Sequence, residues 1–181
     1  MSNWKVISEK KLLSSKFFEV VQETISLPSG KKIQYDTVTR DPVAMIAPLT
    51  EDYQLYMIKQ YRHIFKKYVL ELPAGHLDKN ETALAAAKRE LREETGLVAK
   101  HWEEMAAVYN SASVVHSKIH LFLAKDLEVL ERTQEDEEEE IEIVKIPLQQ
   151  AVSKVISGEI ESLATMYMVL LLDKFVKERK L

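Results

Sequence analysis

Residues 80–96 combine an apolar helix face with a cluster of carboxylates, and this combination limits the possible folds more than any other segment. Leu84, Ala87 and Leu91 recur at spacings of three and four, which is typical of a helix with one buried face. Asn80 is a favourable N-cap, and Gly96 stands where helices usually end. The sequence therefore predicts one helix here, with its apolar side packed against other secondary structure.

Segments with strand character lie on both sides of this helix. They are rich in β-branched and aromatic residues, and the turn signal Pro28-Ser29-Gly30 predicts a hairpin near the N-terminus. The predicted strands are residues 17–27, 32–39, 43–48, 54–60, 68–72, 106–109, 119–124 and 141–146, and further helices are predicted at 148–157 and 163–177. We therefore expect an α/β or α+β fold, with an N-terminal β-strand region at 1–40 and a main domain at 41–181.

The composition narrows the class of protein. The chain has 181 residues, of which 46% are hydrophobic and 30% charged, and its net charge of −4 argues against a nucleic-acid polymer as partner. The densest apolar stretch, residues 166–172, is too short to cross a membrane, and the N-terminus has no signal-peptide pattern. The sequence has no cysteine, which excludes disulfides and cysteine-bound metal. We expect a cytoplasmic protein whose metal ligands, if any, are oxygen or nitrogen atoms.

Three glutamates crowd one side of the predicted helix. Glu90 and Glu94 are four residues apart and share a face, and Glu93 lies close to it. Like charges at this spacing destabilise a helix unless a cation compensates, and hard cations such as Mg²⁺ prefer oxygen ligands. Arg89 stays protonated and can bind a carboxylate through a forked hydrogen bond. Glu93-Glu94 alone would indicate a solvated acidic face, but the whole pattern favours a metal site.

The segment 75–97 matches a longer pattern at every position. Its fixed residues are Gly75, Glu81 after five residues, Arg89-Glu90-Leu91 after seven more, then Glu93-Glu94 and Gly96-Leu97. This pattern resembles the Nudix box. The resemblance implies the Nudix fold, a mixed β-sheet sandwiched between helices, and the hydrolysis of a nucleoside diphosphate linked to another group.

The resemblance also implies roles for the residues of the box. Glu90 and Glu94 are expected to be metal ligands, and Glu93 is expected to serve the same site. The expected metal is Mg²⁺, with Mn²⁺ as a possible substitute. A sharp backbone turn at Gly75 can expose the carbonyl of Ala74 to the metal. The residues implied to support the structure of the box are Gly75, Glu81, Arg89 and Gly96.

Motifs outside the box resemble one branch of the family, the pyrophosphatases of ADP-ribose and nucleoside diphosphate sugars. The motifs are Trp4-x-Val6, Gln60-Tyr61-Arg62, Leu70-Glu71-Leu72-Pro73-Ala74-Gly75, and Ser157-Gly158-Glu159-Ile160 followed by Thr165. The resemblance implies substrate contacts from Arg62, Arg40, Trp4 and Glu71. Arg62 is expected to hold the phosphates and Trp4 to stack on the base. The alternatives are exposed surface arginines and a tryptophan that belongs to the core or to a hinge.

Six consecutive acidic residues, 135–140, form the second acidic segment of interest. Most such runs are solvated loops. The branch, however, places catalytic acids just before its last strand, and alignment on Ile141 makes Glu137 and Glu139 their equivalents. One would act as general base on a water, and the other would help to hold metal. If the run is only a solvated loop, Glu93 is the first candidate for the base.

The sequence departs from the branch at one place. Enzymes typical of ADP-ribose carry a proline about sixteen residues past the box and an acid shortly afterwards, but this chain has Ser113 and Ser117 there. The departure weakens the resemblance to enzymes specific for ADP-ribose, so other nucleoside diphosphate sugars are also candidate substrates. Two alternatives are a housecleaning hydrolase of modified nucleoside triphosphates or dinucleoside polyphosphates, and a non-catalytic nucleotide sensor. The intact box argues against the sensor.

The N-terminal strands also predict the oligomeric state. Residues 17–39 carry alternating apolar residues that the remaining sheet does not obviously cover. Apolar surface on an edge hairpin tends to be buried by a partner. The branch usually exchanges this region between two subunits, so the resemblance implies a homodimer in which Trp4 or Arg40 acts in the neighbouring subunit's site.

Overall fold

The structure is a computed structural model that describes residues 3–130 and 141–178. Eleven strands and three helices form within these residues. The strands are β1 (Lys5–Ser14), β2 (Glu19–Ser26), β3 (Lys32–Thr39), β4 (Val43–Pro48), β5 (Gln54–Arg62), β6 (Lys67–Glu71), β7 (Ala74–His76), β8 (Leu97–Tyr109), β9 (Val115–His116), β10 (Lys118–Val129) and β11 (Glu142–Pro147). The helices are α1 (Ala83–Thr95), α2 (Leu148–Ile156) and α3 (Leu163–Lys177).

The chain divides into two compact units, and the first consists of Met1–Pro42 with Tyr109–Lys118. Its sheet has the strand order β1-β2-β3-β9. The pairs β1–β2 and β2–β3 are antiparallel, and the short β9 runs parallel to β3. Val21 and Ile25 on β2 are buried, whereas every residue of β1 is exposed.

The second unit consists of Val43–Val108 with Ile119–Leu181 and contains two sheets. One has the order β7-β4-β10-β8, with β4 and β10 parallel, and the other has the antiparallel order β11-β5-β6. The mixture of parallel and antiparallel strands confirms the predicted mixed sheet.

The strand β4 shows how helices cover both faces of its sheet. Successive side chains of a strand point to opposite faces. Ala44 and Ile46 pack in one core cluster with residues of α1, whereas Met45 and Ala47 pack in another with residues of α2 and α3. The predicted sandwich of a sheet between helices is therefore confirmed.

The central helix begins later than the sequence predicted. Its N-cap is Thr82, whose hydroxyl accepts a hydrogen bond from the Ala85 N–H, and the predicted N-cap Asn80 instead has a left-handed backbone with φ of 68°. Leu84 is exposed, and the buried small residue of that turn is Ala86. The prediction was wrong because Asn suits a left-handed turn as well as a cap. Gly96 ends the helix as predicted, with φ of 68° and its N–H bonded to the Arg92 carbonyl.

Two strands in the second half of the sequence, β8 and β10, are longer than predicted, and three strands were not predicted at all. β8 extends over Leu97–Tyr109, although only residues 106–109 were expected, and the missed strands are β1, β7 and β9. The described helices include none with the length and apolar character that a membrane span requires.

Candidate active site

Arg89 on α1 joins the helix to the loop that precedes it. Its Nε and Nη2 atoms donate to the two carboxylate oxygens of Glu81, at 3.1 and 3.0 Å, and Nη2 also donates to the His76 carbonyl at 3.0 Å. The forked geometry fixes the orientation of both groups. The loop is closed further by the Asp78 N–H, which donates to Glu81 at 2.9 Å. These contacts link the loop to the helix, and the supporting roles that the resemblance implies for Arg89 and Glu81 stay predictions.

These contacts perturb the titration of both partners. The hydrogen bond from Arg89 is the main cause that lowers the pKa of Glu81, and the Asp78 N–H contributes to the same effect. The pKa of Arg89 is raised, first by its hydrogen bond to Glu81 and further by Glu90 and Glu93. The pair is therefore ionised over the whole physiological pH range.

The same guanidinium also orders the acidic face of the helix. Its Nη1 atom donates to Glu90 at 2.7 Å and to Glu93 at 2.9 Å. Arg89 thereby compensates part of the repulsion that three glutamates on one helix face create. Arg89 consequently holds Glu90 and Glu93 in place before any cation binds.

Glu90 lies against the backbone of Gly75, the first residue of the box. A Cβ atom at Gly75 would lie 2.0 Å from both Cδ and Oε1 of Glu90. Only glycine leaves room for the carboxylate at this position. Steric exclusion, and not an unusual backbone angle, therefore explains why this part of the box needs glycine.

Glu94 is held by the preceding residue of the same short strand, β7. The Ala74 N–H donates to Glu94 Oε2 at 2.8 Å. Glu94 is only 5% exposed and Glu90 only 7%, which is rare for acidic residues unless they are paired or bind metal. The sequence thus placed both residues correctly on one helix face, and the structure adds that both are buried.

The donor set fits a hard divalent cation. Two buried carboxylates four residues apart supply the oxygen ligands that Mg²⁺ and Mn²⁺ prefer. Within residues 3–130 and 141–178, no three His, Asp or Glu side chains converge into a complete metal cage. A cation at Glu90 and Glu94 would therefore take further ligands from water, substrate phosphate, backbone or residues outside these ranges. The predicted ligand role of the Ala74 carbonyl stays a prediction.

Arg62 and Glu71 form an ion pair between neighbouring strands. Arg62 on β5 donates through Nε to Glu71 Oε2 on β6 at 2.7 Å. The side chain of Glu71 is mostly buried, whereas that of Arg62 is 41% exposed. The buried carboxylate therefore orients a guanidinium that remains accessible to solvent.

The other predicted site residues lie elsewhere in the chain. Trp4 and Arg40 belong to the first unit, where both are exposed, and the Arg40 N–H donates to the His116 carbonyl. Glu137 and Glu139 lie outside the described residues. The roles of these four residues stay predictions.

Sequence reasoning missed the contribution of His76 to the site. Its backbone carbonyl accepts from Arg89, and no side-chain pattern signals a backbone contact of this kind.

The hydroxyl of Ser117, at the position where an acid was expected, donates to the Asp41 carbonyl within the first unit.

Comparisons with known proteins agree with this geometry. A family model described as the NUDIX domain matches residues 39–165 of the chain. The chain belongs to the Nudix family, and it is a hydrolase that acts on diphosphate bonds. Members of this family are generally dependent on a divalent metal ion.

Similar proteins include two ADP-ribose pyrophosphatases. The protein of Bacillus subtilis (strain 168) is 33% identical over 91% of this chain and 90% of its own length. The protein of Mycobacterium tuberculosis is 28% identical over 87% of this chain and 77% of its own length. A solved structure of an ADP compounds hydrolase matches with a TM-score of 0.87 over 99% of this chain and 97% of its own. At 22% identity, that structure supports the fold alone.

Proposed function

We propose that this protein hydrolyses the diphosphate bond of a nucleoside diphosphate sugar, such as ADP-ribose, with Mg²⁺ as its metal ion. The products are a nucleoside monophosphate and a sugar phosphate. The observation that carries the proposal is the pair of buried carboxylates at β7, where Glu90 packs against Gly75 and Glu94 accepts from the Ala74 N–H. The names of the similar proteins support the substrate class.

The residues around these carboxylates prepare the site for a cation. Glu90 and Glu94 bring two negative charges into a poorly solvated position, where a cation is attracted more strongly than in water. Arg89 fixes Glu90 by a hydrogen bond, and Ala74 fixes Glu94 in the same way. When bound, Mg²⁺ neutralises the diphosphate and polarises a phosphorus–oxygen bond. Mn²⁺ satisfies the same oxygen ligands.

Arg62 is proposed to bind the diphosphate of the substrate. A guanidinium has five N–H donors, and the bond to Glu71 uses only the Nε–H. The exposed side chain can therefore donate to phosphate oxygens while Glu71 keeps its orientation fixed. Glu71 acts on the substrate indirectly in this proposal, through the arginine that it orients.

The general base is proposed to be Glu137 or Glu139, both outside the described residues. A carboxylate base needs reach to the attacking water and an ionised state. Glu93 is the alternative, although its contact with Arg89 at 2.9 Å already engages one of its oxygens.

A homodimer formed through the N-terminal region is also proposed. All ten residues of β1 are exposed, and Val6, Ile7, Leu12 and Leu13 are apolar. An exposed strand of this kind tends to be covered by a partner. Trp4 precedes the strand and is exposed, so it is available to contact the partner or its substrate. A cytoplasmic location stays a prediction.

A panel of nucleotides assayed with Mg²⁺ tests the substrate class. The panel contains ADP-ribose, other nucleoside diphosphate sugars, nucleoside triphosphates and dinucleoside polyphosphates. The products of each reaction are separated and quantified by anion-exchange chromatography, because a phosphatase would also attack the terminal phosphate of an unreacted triphosphate. We expect the highest kcat/KM for a nucleoside diphosphate sugar. The Ser113 departure makes the choice among sugars open, whereas a preference for triphosphates or dinucleoside polyphosphates would contradict the proposal.

A further inference from the structure

The connection between β6 and β7 is held by side chains from two different helices. The Leu72 N–H donates to the hydroxyl oxygen of Thr165 on α3, at 3.2 Å. The Ala74 N–H donates to Glu94 on α1, at 2.8 Å. Pro73, between them, has no N–H. Both backbone donors of residues 72–74 therefore bond to side chains, and one of those side chains, Glu94, is a proposed metal ligand.

The contact at Thr165 lies in the interior of the second unit. Thr165 is 0% exposed and Leu72 is 1% exposed, so water cannot replace the hydroxyl. A buried N–H without a partner is strongly disfavoured, and the backbone of Leu72 would have to move to find another acceptor. The Pro73 carbonyl accepts from the Ile46 N–H of β4 at 2.9 Å, which fixes the next residue of the connection. Residues 72–74 are thus anchored at each position in turn.

We infer that Thr165 is a positioning residue of the active site, which acts through the backbone of residues 72–74 on the carboxylate of Glu94. Its hydroxyl fixes Leu72, and the position of Leu72 determines where the Ala74 N–H meets Glu94. Groups that hydrogen-bond a metal ligand directly, as the Ala74 N–H does for Glu94, typically change metal affinity or activity by roughly 10- to 100-fold when removed. Thr165 acts through this contact, so we expect an effect at the lower end of that range. The inference rests on the proposed function, because it presumes a cation at Glu90 and Glu94.

The competing explanation is that Thr165 only fills space in the core. The variant Thr165→Val separates the two explanations, since valine has the same shape and lacks the hydroxyl. Thr165→Ser keeps the hydroxyl and removes the methyl group. A packing role predicts that serine is the more harmful change, whereas a positioning role predicts that valine is.

The test measures Mn²⁺ binding to the full chain by titration calorimetry, alongside kcat and KM at saturating Mg²⁺. For Thr165→Val we expect Mn²⁺ affinity and kcat each to fall roughly 10-fold, with KM within about 2-fold of wild type. For Thr165→Ser we expect both quantities within about 3-fold of wild type. Mn²⁺ affinity equal to wild type in folded Thr165→Val would overturn the inference.

A matched control on the same helix excludes a general loss of stability. Asp173 on α3 is buried and accepts from Gln149 at 2.6 Å and Lys177 at 2.7 Å, so Asp173→Asn weakens a buried polar contact of α3. We expect Asp173→Asn to lower the melting temperature but to leave Mn²⁺ affinity unchanged. An equal loss of affinity in Asp173→Asn and Thr165→Val would mean that any destabilised α3 has this effect, which contradicts a specific role for Thr165.

A second measurement on wild-type protein decides the matter if Thr165→Val does not fold. In amide NMR spectra, Mg²⁺ should shift the resonances of Leu72 and Ala74, whereas Leu70 in the β5–β6 ladder should not respond. If the Ala74 resonance shifts with Mg²⁺ and the Leu72 resonance does not, the inference is overturned and the metal site remains supported.

The proposed metal site is tested independently by Mn²⁺ binding to Glu94→Gln. Loss of Mn²⁺ binding in this variant supports the site, whereas retained Mn²⁺ binding would remove the basis of both proposals.

Discussion

Gly75 and Glu90 are in such close contact that a single methyl group between them has no room. A Cβ atom built on Gly75 would approach the carboxylate carbon of Glu90 to 2.0 Å, and both of its oxygens to 2.3 Å or less. The first residue of the box therefore shapes the position of a glutamate fifteen residues later. Residues that are far apart in the sequence of the box, such as Gly75 and Glu90, are thus in direct contact in the folded protein.

Gly75→Ala should accordingly impair the site more than the fold. The atoms that would clash belong to the end of a flexible side chain, so the Glu90 carboxylate can move aside at small cost in stability. A displacement of about 1 Å at a reacting site can lower turnover roughly 100-fold. We expect a loss of that size in kcat, measured with Mg²⁺ and ADP-ribose, with a melting temperature close to wild type.

Gly158→Ala serves as the matched control for this change. Gly158 has a left-handed φ of 78°, and a Cβ there meets no atom within 4 Å. Alanine should cost about 1 kcal/mol in stability at such a backbone angle and leave turnover unchanged. Normal turnover in Gly75→Ala would show that Glu90 is not fixed by this contact.

The ion pair between Arg89 and Glu81 predicts a pH-dependent contribution to stability. The folded state lowers the pKa of Glu81, so the ionised form stabilises the fold at any pH above the unfolded value of about 4.3. The contribution is lost as the pH falls through the lower folded-state pKa. Glu81→Gln should therefore reduce the unfolding free energy by about 2 kcal/mol at pH 7, and the difference from wild type should shrink toward pH 3.

Urea unfolding of both proteins between pH 7 and pH 3 measures this difference. A gap between wild type and Glu81→Gln that stays constant over the whole range would mean that the charge of Glu81 contributes nothing to the fold.

The chemistry of the site could be predicted from sequence because the box fixes residue types at helical spacing. Four-residue separation alone places Glu90 and Glu94 on one face. The burial of both residues could not be predicted in this way, since it depends on β7, a three-residue strand with no periodicity to detect. The contact of Arg89 with the His76 carbonyl is likewise invisible in a pattern of side chains.

The ends of several partly or fully buried elements could be predicted from the sequence, whereas the fully exposed strand β1 could not. β3, β4 and α3 begin and end at the expected residues. β1 was not predicted because its sequence does not alternate between apolar and polar residues. All of its residues are exposed, so no buried face imposes such an alternation. Its backbone bonds to β2 define it instead, and those bonds have no local signature in the sequence.

Arg62→Ala should weaken substrate binding more than turnover. Loss of the guanidinium that Glu71 orients should raise KM for the nucleotide sugar roughly 10-fold, with kcat within about 3-fold of wild type. Lys59→Ala provides a control on the same strand, since Lys59 forms a comparable ion pair with Glu142 at 3.3 Å. Steady-state kinetics of both variants decide the point, and equal KM values for the two would remove Arg62 from the proposed substrate site.

The exposed strand β1 predicts a homodimer. Light scattering of the full chain at micromolar concentration should give roughly twice the chain mass of 20.9 kDa. Val6→Glu on β1 should shift the protein toward monomer, because it places a charge on the surface proposed to be covered. Ile156→Glu, at an even more exposed apolar residue of α2, should leave the mass unchanged. A monomeric wild-type protein with full activity would contradict the dimer and leave the hydrolase assignment intact.

The most direct test is the turnover of Glu94→Gln with a nucleoside diphosphate sugar and Mg²⁺, measured on protein whose fold is verified by circular dichroism. Glutamine keeps the shape of the side chain and an acceptor for the Ala74 N–H, and it removes the charge that a divalent cation needs. We predict that kcat falls by at least roughly 100-fold while the melting temperature changes little. A folded Glu94→Gln variant that turns over substrate at nearly the wild-type rate would contradict a metal-dependent hydrolase centred on Glu90 and Glu94.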